Sequence, residues 1–316
     1  MIRTNSGLAF VFPGQGSQSV GMMADLGANH PIVIKTFAEA SEILGYDLWS
    51  LATQGPEEQL NATQNTQPAM LVSGVAAWRV WCDLTDLRPA VMAGHSLGEY
   101  TALVCAGVIS FEAAVGLVAE RARFMQEAVP AGIGAMAAVI GLDDAALVAI
   151  CAQASSPGEE VTAANFNAPG QVVIAGHKGG VEKAAELAKA AGAKRVVILP
   201  VSVPSHCPLM REAAQKFRRL LDETAISPAQ QPVIHNVDVA AHQGADAVRD
   251  ALEQQLFGSV RWTETILAMA DRGVTTYVEC GPGKTLAGLI KRIAPDARIE
   301  NIFDSSSLEK ARGLAA

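Results

Sequence analysis

The sequence predicts an α/β protein, and three features predict it. Short apolar runs alternate with longer stretches of helical spacing through most of the chain, which implies a mostly parallel sheet. Between Pro130 and Pro200 the order changes to β-α-β-β-α-β, a ferredoxin-like unit of about 70 residues. An apolar run from Ala90 to Ala93 then enters Gly94-His95-Ser96-Leu97-Gly98 and a helix-like run, the strand-turn-helix of a nucleophile elbow. The expected architecture is an α/β-hydrolase-like large subdomain, residues 1–131 and 202–316, with an inserted ferredoxin-like small subdomain, residues 132–201.

Leu8 to Phe12 reads as a short buried strand that breaks at Pro13-Gly14-Gln15-Gly16, a turn of residues that permit unusual dihedrals. Ile32 to Leu44 and Gln67 to Cys82 have helical character, as do Tyr100 to Val108 and Phe111 to about Ala128. In the small unit, Ala135 to Ile140 is a strand, and Asp143 can cap a helix reaching Ala154. Strands at Val161 to Asn165 and Gln171 to Ala175 flank the turn Asn167-Ala168-Pro169-Gly170. Glu182 to Ala191 is a helix stopped by Gly192, and Arg195 to Leu199 is the last strand of the unit. Alternation then resumes. A helix from about Pro208 to Leu221 precedes a strand at Val233 to Asn236. Helices at Val248 to Phe257 and Thr263 to Asp271 precede a strand at Thr275 to Glu279. Leu286, Leu289, Ile290 and Ile293 mark a closing helix.

Composition narrows the function. The 316 residues are 50% hydrophobic and 18% charged, enough for one large domain with a smaller one. A net charge of −8 argues against a nucleic-acid binder. The five cysteines are scattered and never in C-x-x-C spacing, which reads as reduced thiols in a cytosolic protein. No apolar run approaches the ~18 residues of a membrane span. The N-terminal apolar run is too short for a signal peptide, so a cytoplasmic protein is expected. Two glycine-rich turns are not nucleotide loops. Ser19 stands where G-x-G-x-x-G needs its third glycine, and Val278 stands where a phosphate loop before Lys284 needs its first. His206-Cys207 lacks further ligands at metal spacing, so no metal and no cofactor are expected.

The elbow carries the chemistry. It raises the Ser96 hydroxyl on a strained bend, with glycine two residues away on each side where a Cβ would clash. The next N–H, that of Leu97, sits at a helix N-terminus where developing negative charge is favoured. A second oxyanion donor usually comes from a neighbouring loop, and the Gln15 N–H is the candidate. A serine nucleophile needs a base. Six histidines are available, and His206 gains from its place where the two subdomains meet. His95 adjoins Ser96 but is expected to point elsewhere. On the helix after the elbow, either Arg121 or Arg123 can hold a substrate carboxylate with its planar fork, and spacing does not choose between them.

A family resemblance follows from Phe12-Pro13-Gly14-Gln15-Gly16-Ser17-Gln18, Thr66-Gln67-Pro68-Ala69, Gly94-His95-Ser96-Leu97-Gly98-Glu99, Arg121 with Met125 and Gln126, Asn165 through Gly176, Val203-Pro204-Ser205-His206, Gln255-Leu256 and Glu279-Cys280-Gly281-Pro282-Gly283-Lys284. In this order, from about residue 8 to residue 292, they resemble the malonyl-CoA:acyl carrier protein transacylases, most closely the stand-alone bacterial type that serves fatty acid synthesis. The resemblance implies Ser96 as nucleophile, His206 as general base, Arg121 as the grip on the malonyl carboxylate, and the Gln15 and Leu97 N–H groups as the oxyanion hole. It also implies that the Gln255 neighbourhood braces the histidine through a backbone carbonyl in place of an acid. Two positions depart from the pattern. Ser259 stands where proline is common, which implies a looser loop. Ser205 stands where malonyl-selecting polyketide relatives often carry phenylalanine.

The implied reaction moves a malonyl group from malonyl-CoA to the phosphopantetheine thiol of acyl carrier protein through a malonyl-serine ester. The implied partners are malonyl-CoA and acyl carrier protein, with no nucleic acid or membrane, and the protein is expected to act as a monomer. Two basic stretches are candidates for docking an acidic carrier. One holds Lys178, Lys183, Lys189, Lys194 and Arg195 against Glu182 and Glu186; the other holds Lys284, Lys291 and Arg292. The rivals are a trans-acting polyketide-synthase acyltransferase, a hydrolytic esterase or thioesterase using the same elbow, and a carrier-docking module with a dead site.

Overall fold

The computed structural model describes residues 2–130, 132–200 and 203–315. The expected subdomain boundaries at 131/132 and 201/202 fall on Ala131, Val201 and Ser202, which lie outside the described residues. The chain begins with β1 (Arg3–Phe12) and five helices: α1 (Ala24–Asn29), α2 (Pro31–Leu44), α3 (Leu48–Gln54), α4 (Glu57–Asn61) and α5 (Thr63–Leu84). β2 (Leu87–Gly94), α6 (Gly98–Cys105) and α7 (Phe111–Ala128) complete the first part. The small unit is β3 (Gly134–Ile140), α8 (Asp144–Ala154), β4 (Val161–Ala168), β5 (Gln171–His177), α9 (Lys178–Ala190) and β6 (Arg195–Ile198). The chain returns through a short 3-10 turn (Pro208–Met210), α10 (Arg211–Glu223), β7 (Val233–Ile234), α11 (Ala245–Phe257), α12 (Trp262–Asp271), β8 (Thr276–Cys280), α13 (Thr285–Ile293), β9 (Arg298–Ile302) and α14 (Ser305–Arg312).

The large sheet has the order β7-β2-β1-β8-β9, and every pairing is parallel. Its centre is apolar on both faces because helices cover both. Along β1, Leu8, Phe10 and Phe12 enter the main core with α2, α5, α6 and α7 residues, while Ala9 and Val11 enter a second core under Trp262, Ile266, Leu286 and Ile290. The small sheet, order β4-β5-β3-β6, is antiparallel throughout, the order of a ferredoxin-like unit. One face buries Ala137, Val139, Val172 and Ile174 against α8 and α9. The other places Met136, Ala164, Val173 and Ala175 around Cys207. That second face anchors the chain where it re-enters the large subdomain.

Register positions the site. Phe12 pairs with Gly94 and Val11 with Ala93, so β1 and β2 end side by side and their loops run together. The His95 N–H donates to the Phe12 carbonyl at 3.0 Å. A Cβ on Gly94 would lie 1.9 Å from the Gly98 carbonyl carbon, and one on Gly98 would lie 2.0 Å from the Phe12 oxygen. The elbow therefore admits only glycine at both places.

Three expectations need correction. The helix on Leu286 to Ile293 does not close the chain, because β9 and α14 follow it. β9 is a half-exposed edge strand, so its Arg-Ile-Glu-Asn-Ile sequence carries little apolar signal. The helix expected from Gln67 starts at Thr63, so Pro68 lies inside it. The strand expected to Asn236 ends at Ile234. Beyond it, His235 and Asn236 hydrogen-bond to Glu99. No helix among the described residues is long and apolar enough to cross a membrane.

Candidate active site

Ser96 stands at the turn between β2 and α6 with φ 53°, a left-handed conformation that costs a non-glycine residue free energy. Asn236 holds that strain in place. Its Oδ1 accepts from the Ser96 N–H at 2.7 Å, and its Nδ2 donates to the Gly94 carbonyl at 2.7 Å. One side chain thus clamps both arms of the bend.

The hydroxyl meets a base from a distant stretch of chain. Ser96 Oγ lies 2.7 Å from His206 Nε2. His206 Nδ1 lies 2.7 Å from the Gln255 backbone carbonyl. A carbonyl only accepts, so Nδ1 carries the proton and Nε2 is left to accept the serine O–H. His206 has φ 61°, and its N–H donates to the Leu256 carbonyl at 3.1 Å. Burial first, and the nearby Arg121 charge second, pull the imidazole from 6.5 down to about 3. It is neutral, the form a base requires.

Arg121 on α7 is 1% exposed. Its guanidinium donates to Gln67 Oε1 at 2.7 Å and Gln255 Oε1 at 2.9 Å and lies over the Tyr100 ring at 5.4 Å. Its Nε has no partner among the described residues. Neither oxygen partner is a carboxylate, so the cation is desolvated and open to an anion. Arg123 faces away and pairs with Glu120 and Glu127 on the surface. The structure therefore separates the two arginines that spacing could not.

Ser96, His206 and Arg121 line one cavity of about 200 Å³, with Gln15 and Leu97 at its wall. The Gln15 loop abuts the elbow: a Cβ on Gly14 would lie 2.4 Å from the His95 carbonyl oxygen and 3.6 Å from the Leu97 nitrogen. Met125, Met136, Val173, Leu199 and Val203 supply an apolar side. His95 lines the cavity as well, contrary to expectation. Its Nε2 engages Asn167 Oδ1 at 2.7 Å, and its ring stacks edge-on to Trp262. It thereby ties the elbow to the small subdomain. Ser259 does not leave its loop untethered, since its hydroxyl donates to the Ala163 carbonyl at 2.7 Å and Val260 N–H donates to Ala164.

All six residues expected at the site come together: Ser96, His206, Arg121, Gln15, Leu97 and Gln255. Four further residues support the site without having been expected there: Asn236, Glu99, His235 and Gln67. Polar residues at a strand end, as in His235-Asn236, were the available signal. Among the described residues no cluster could hold a metal ion, and all five cysteines are free. The first basic stretch is exposed on α9 and β6, and Lys284, Lys291 and Arg292 are exposed on α13. Arg292 reaches the β4–β5 turn, donating to the Gln171 side chain and to the Pro169 carbonyl at 3.3 Å.

Comparison with known proteins gives one consistent picture. Residues 9–300 match the acyl transferase domain family. The malonyl CoA-acyl carrier protein transacylase of Salmonella typhimurium is 56% identical over 303 residues, 96% of this chain and 98% of the relative. The enzyme of that name from Bacillus subtilis is 44% identical over 97% of this chain and 96% of its own length. Among solved structures, the malonyl CoA-acyl carrier protein transacylase of Coxiella burnetii superposes with a TM-score of 0.96 at 50% identity, covering 98% of each chain. A malonyl-transacylase solved with a type II polyketide acyl-carrier protein superposes with a TM-score of 0.95 at 53% identity, covering 96% of this chain and 98% of that one.

Proposed function

Since this chain belongs to the acyl transferase domain family, we propose that it transfers malonyl groups from malonyl-CoA to acyl carrier protein, supplying extender units for fatty acid synthesis. The observation that carries this reading is one cavity shared by a serine–histidine–carbonyl relay and a buried guanidinium without an anion. The relay suits acyl transfer, and the guanidinium suits a diacid.

On this reading Ser96 Oγ attacks the thioester carbonyl while its proton passes to His206 Nε2. The Gln15 and Leu97 N–H groups hold the oxyanion, and each such donor contributes about 3–4 kcal/mol in related sites. The C–S bond breaks, the histidine proton goes to the CoA sulfur, and a malonyl-serine ester remains. The carrier's phosphopantetheine thiol then gives its proton to His206 and attacks the ester, which returns Ser96 to its starting state. Arg121 holds the malonyl carboxylate throughout. Gln255 serves twice: its carbonyl orients the base, and its side chain supports the guanidinium.

The Gln15 loop forms one wall of the cavity. The Ser17 hydroxyl donates to Thr285 Oγ1 at 2.8 Å, so the start of α13 is tied to that loop. This supports the face carrying Lys284, Lys291 and Arg292 as the carrier dock. Five unpaired thiols support a cytoplasmic setting.

The test is incubation with malonyl-CoA alone, followed by peptide mass spectrometry. A malonyl mass on the Ser96 peptide is expected. An unmodified serine in folded protein would refute the covalent step, and rapid release of free malonate would favour a hydrolase.

A further inference from the structure

Glu99 lies in the first turn of α6, three residues past the nucleophile, and is fully buried. No lysine or arginine pairs with it among the described residues. Its partners are His235 Nδ1 at 2.7 Å, the Asn236 N–H at 3.0 Å and Gln255 Nε2 at 3.0 Å. A buried carboxylate so placed is held for a reason beyond packing, because desolvating it costs several kcal/mol before its bonds are counted.

The Gln255 amide shows the reason. Its Nε2 faces two groups that only accept, the Glu99 carboxylate and the Ser96 carbonyl at 2.9 Å. Its Oε1 faces Arg121 at 2.9 Å, a group that only donates. Reversing the amide would set NH₂ against the guanidinium and oxygen against a carboxylate. Glu99 and the Ser96 carbonyl together therefore fix which end of Gln255 meets Arg121. It also places a negative charge one amide away from the buried cation. At that remove it offsets the charge without occupying the guanidinium, which a carboxylate in direct contact would do.

We infer that Glu99 is a positioning residue for recognition of the substrate's carboxylate: through Gln255 it orients and electrostatically balances Arg121 while leaving that arginine open to the malonyl group. The inference rests on Arg121 as the seat of the malonyl carboxylate.

Two variants test this, one without the negative charge and one with it moved. Glu99→Gln removes it. Glu99→Gln with Gln255→Glu moves it onto Arg121 and keeps the net charge. Ser96 acylation is followed by intact-protein mass spectrometry across malonyl-CoA concentrations, and a fluorophosphonate that lacks a carboxylate reports whether the nucleophile is intact. In Glu99→Gln the half-saturating malonyl-CoA concentration rises about tenfold, while phosphonate labelling stays within about threefold of the parent. The double variant loses malonyl acylation by about a hundredfold or more, because the new carboxylate holds the guanidinium. Unchanged malonyl saturation in Glu99→Gln, or a double variant acylated like the parent, overturns the inference. So does loss of phosphonate labelling in Glu99→Gln, since Glu99 would then serve the elbow alone. Arg121→Ala, run beside them, separates the two layers: if it keeps its preference for malonyl-CoA over acetyl-CoA, the functional reading falls with the inference.

Discussion

Replacing Arg121 by alanine removes the one desolvated cation among the described residues that line the cavity, and the structure sets the size of the effect. A malonyl carboxylate seated on the guanidinium would accept two charge-assisted hydrogen bonds, each contributing about 1.5–3 kcal/mol. Their loss amounts to about 3–6 kcal/mol, or about 10²- to 10⁴-fold in kcat/KM for malonyl-CoA. Acetyl-CoA has no carboxylate to lose, so its acylation of Ser96 should fall far less. A second effect has the opposite direction. Burial is the larger cause of the low His206 value, and the Arg121 charge is the next. Without that charge the imidazole becomes more basic, although burial keeps it below 6.5. The acid limb of Ser96 labelling by a fluorophosphonate should therefore move to higher pH in Arg121→Ala. The assay is acylation by malonyl-CoA and acetyl-CoA under single-turnover conditions, with the labelling profile measured on the same protein. Equal losses for the two thioesters, or an acid limb that stays or moves to lower pH, would refute the reasoning.

Three further outcomes are expected. His206→Ala should lose both half-reactions by about 10²- to 10⁴-fold, measured as self-acylation and as transfer from preformed malonyl-enzyme to carrier. It should also flatten the acid dependence of stability. The unfolded histidine binds a proton near 6.5 and the folded one near about 3, so the parent loses stability as pH falls through that window, by about 1.4 kcal/mol per pH unit; thermal melts at pH 7 and pH 5 check this slope. Gly94→Ala puts a Cβ 1.9 Å from Gly98 backbone atoms, so denaturant melts should show a loss of about 3 kcal/mol or more, and a near-neutral result would mean the elbow can open. Reversing the charge of Lys291 and Arg292 together should slow transfer to the carrier and its salt dependence while leaving self-acylation unchanged; equal effects on both steps would move the dock elsewhere.

Legibility followed burial. The apolar run Leu8–Phe12 and the glycine-flanked serine were readable because sheet centres and tight bends leave few residue choices. The choice of Arg121 over Arg123 came from the fold. Val118, Arg121 and Met125 share one buried stripe of α7, and a helix turns Arg123 about 200° away from Arg121. The edge strand β9 and the helix α14 were not readable, because a half-exposed strand of alternating charge resembles a loop. The support beneath the elbow was hidden for another reason. Glu99 lies 137 residues from Asn236 and 156 from Gln255 along the chain, and only the fold brings their polar groups into bonding distance. Hydrogen-bond partners of this kind have no periodicity to detect.

The missing acid of the catalytic relay bears on which acyl groups the site accepts. A carboxylate behind His206 would strengthen the base and, near the Arg121 charge that acts on that imidazole, would offset the cation meant for the substrate's own carboxylate. A carbonyl does neither, and together with burial it leaves an imidazole of low basicity. A malonyl group seated on Arg121 cancels part of the charge that depresses His206, so the base strengthens when a diacid is bound. One arrangement, a neutral acceptor behind the histidine and an anion-free guanidinium beside it, therefore favours diacid over monoacid.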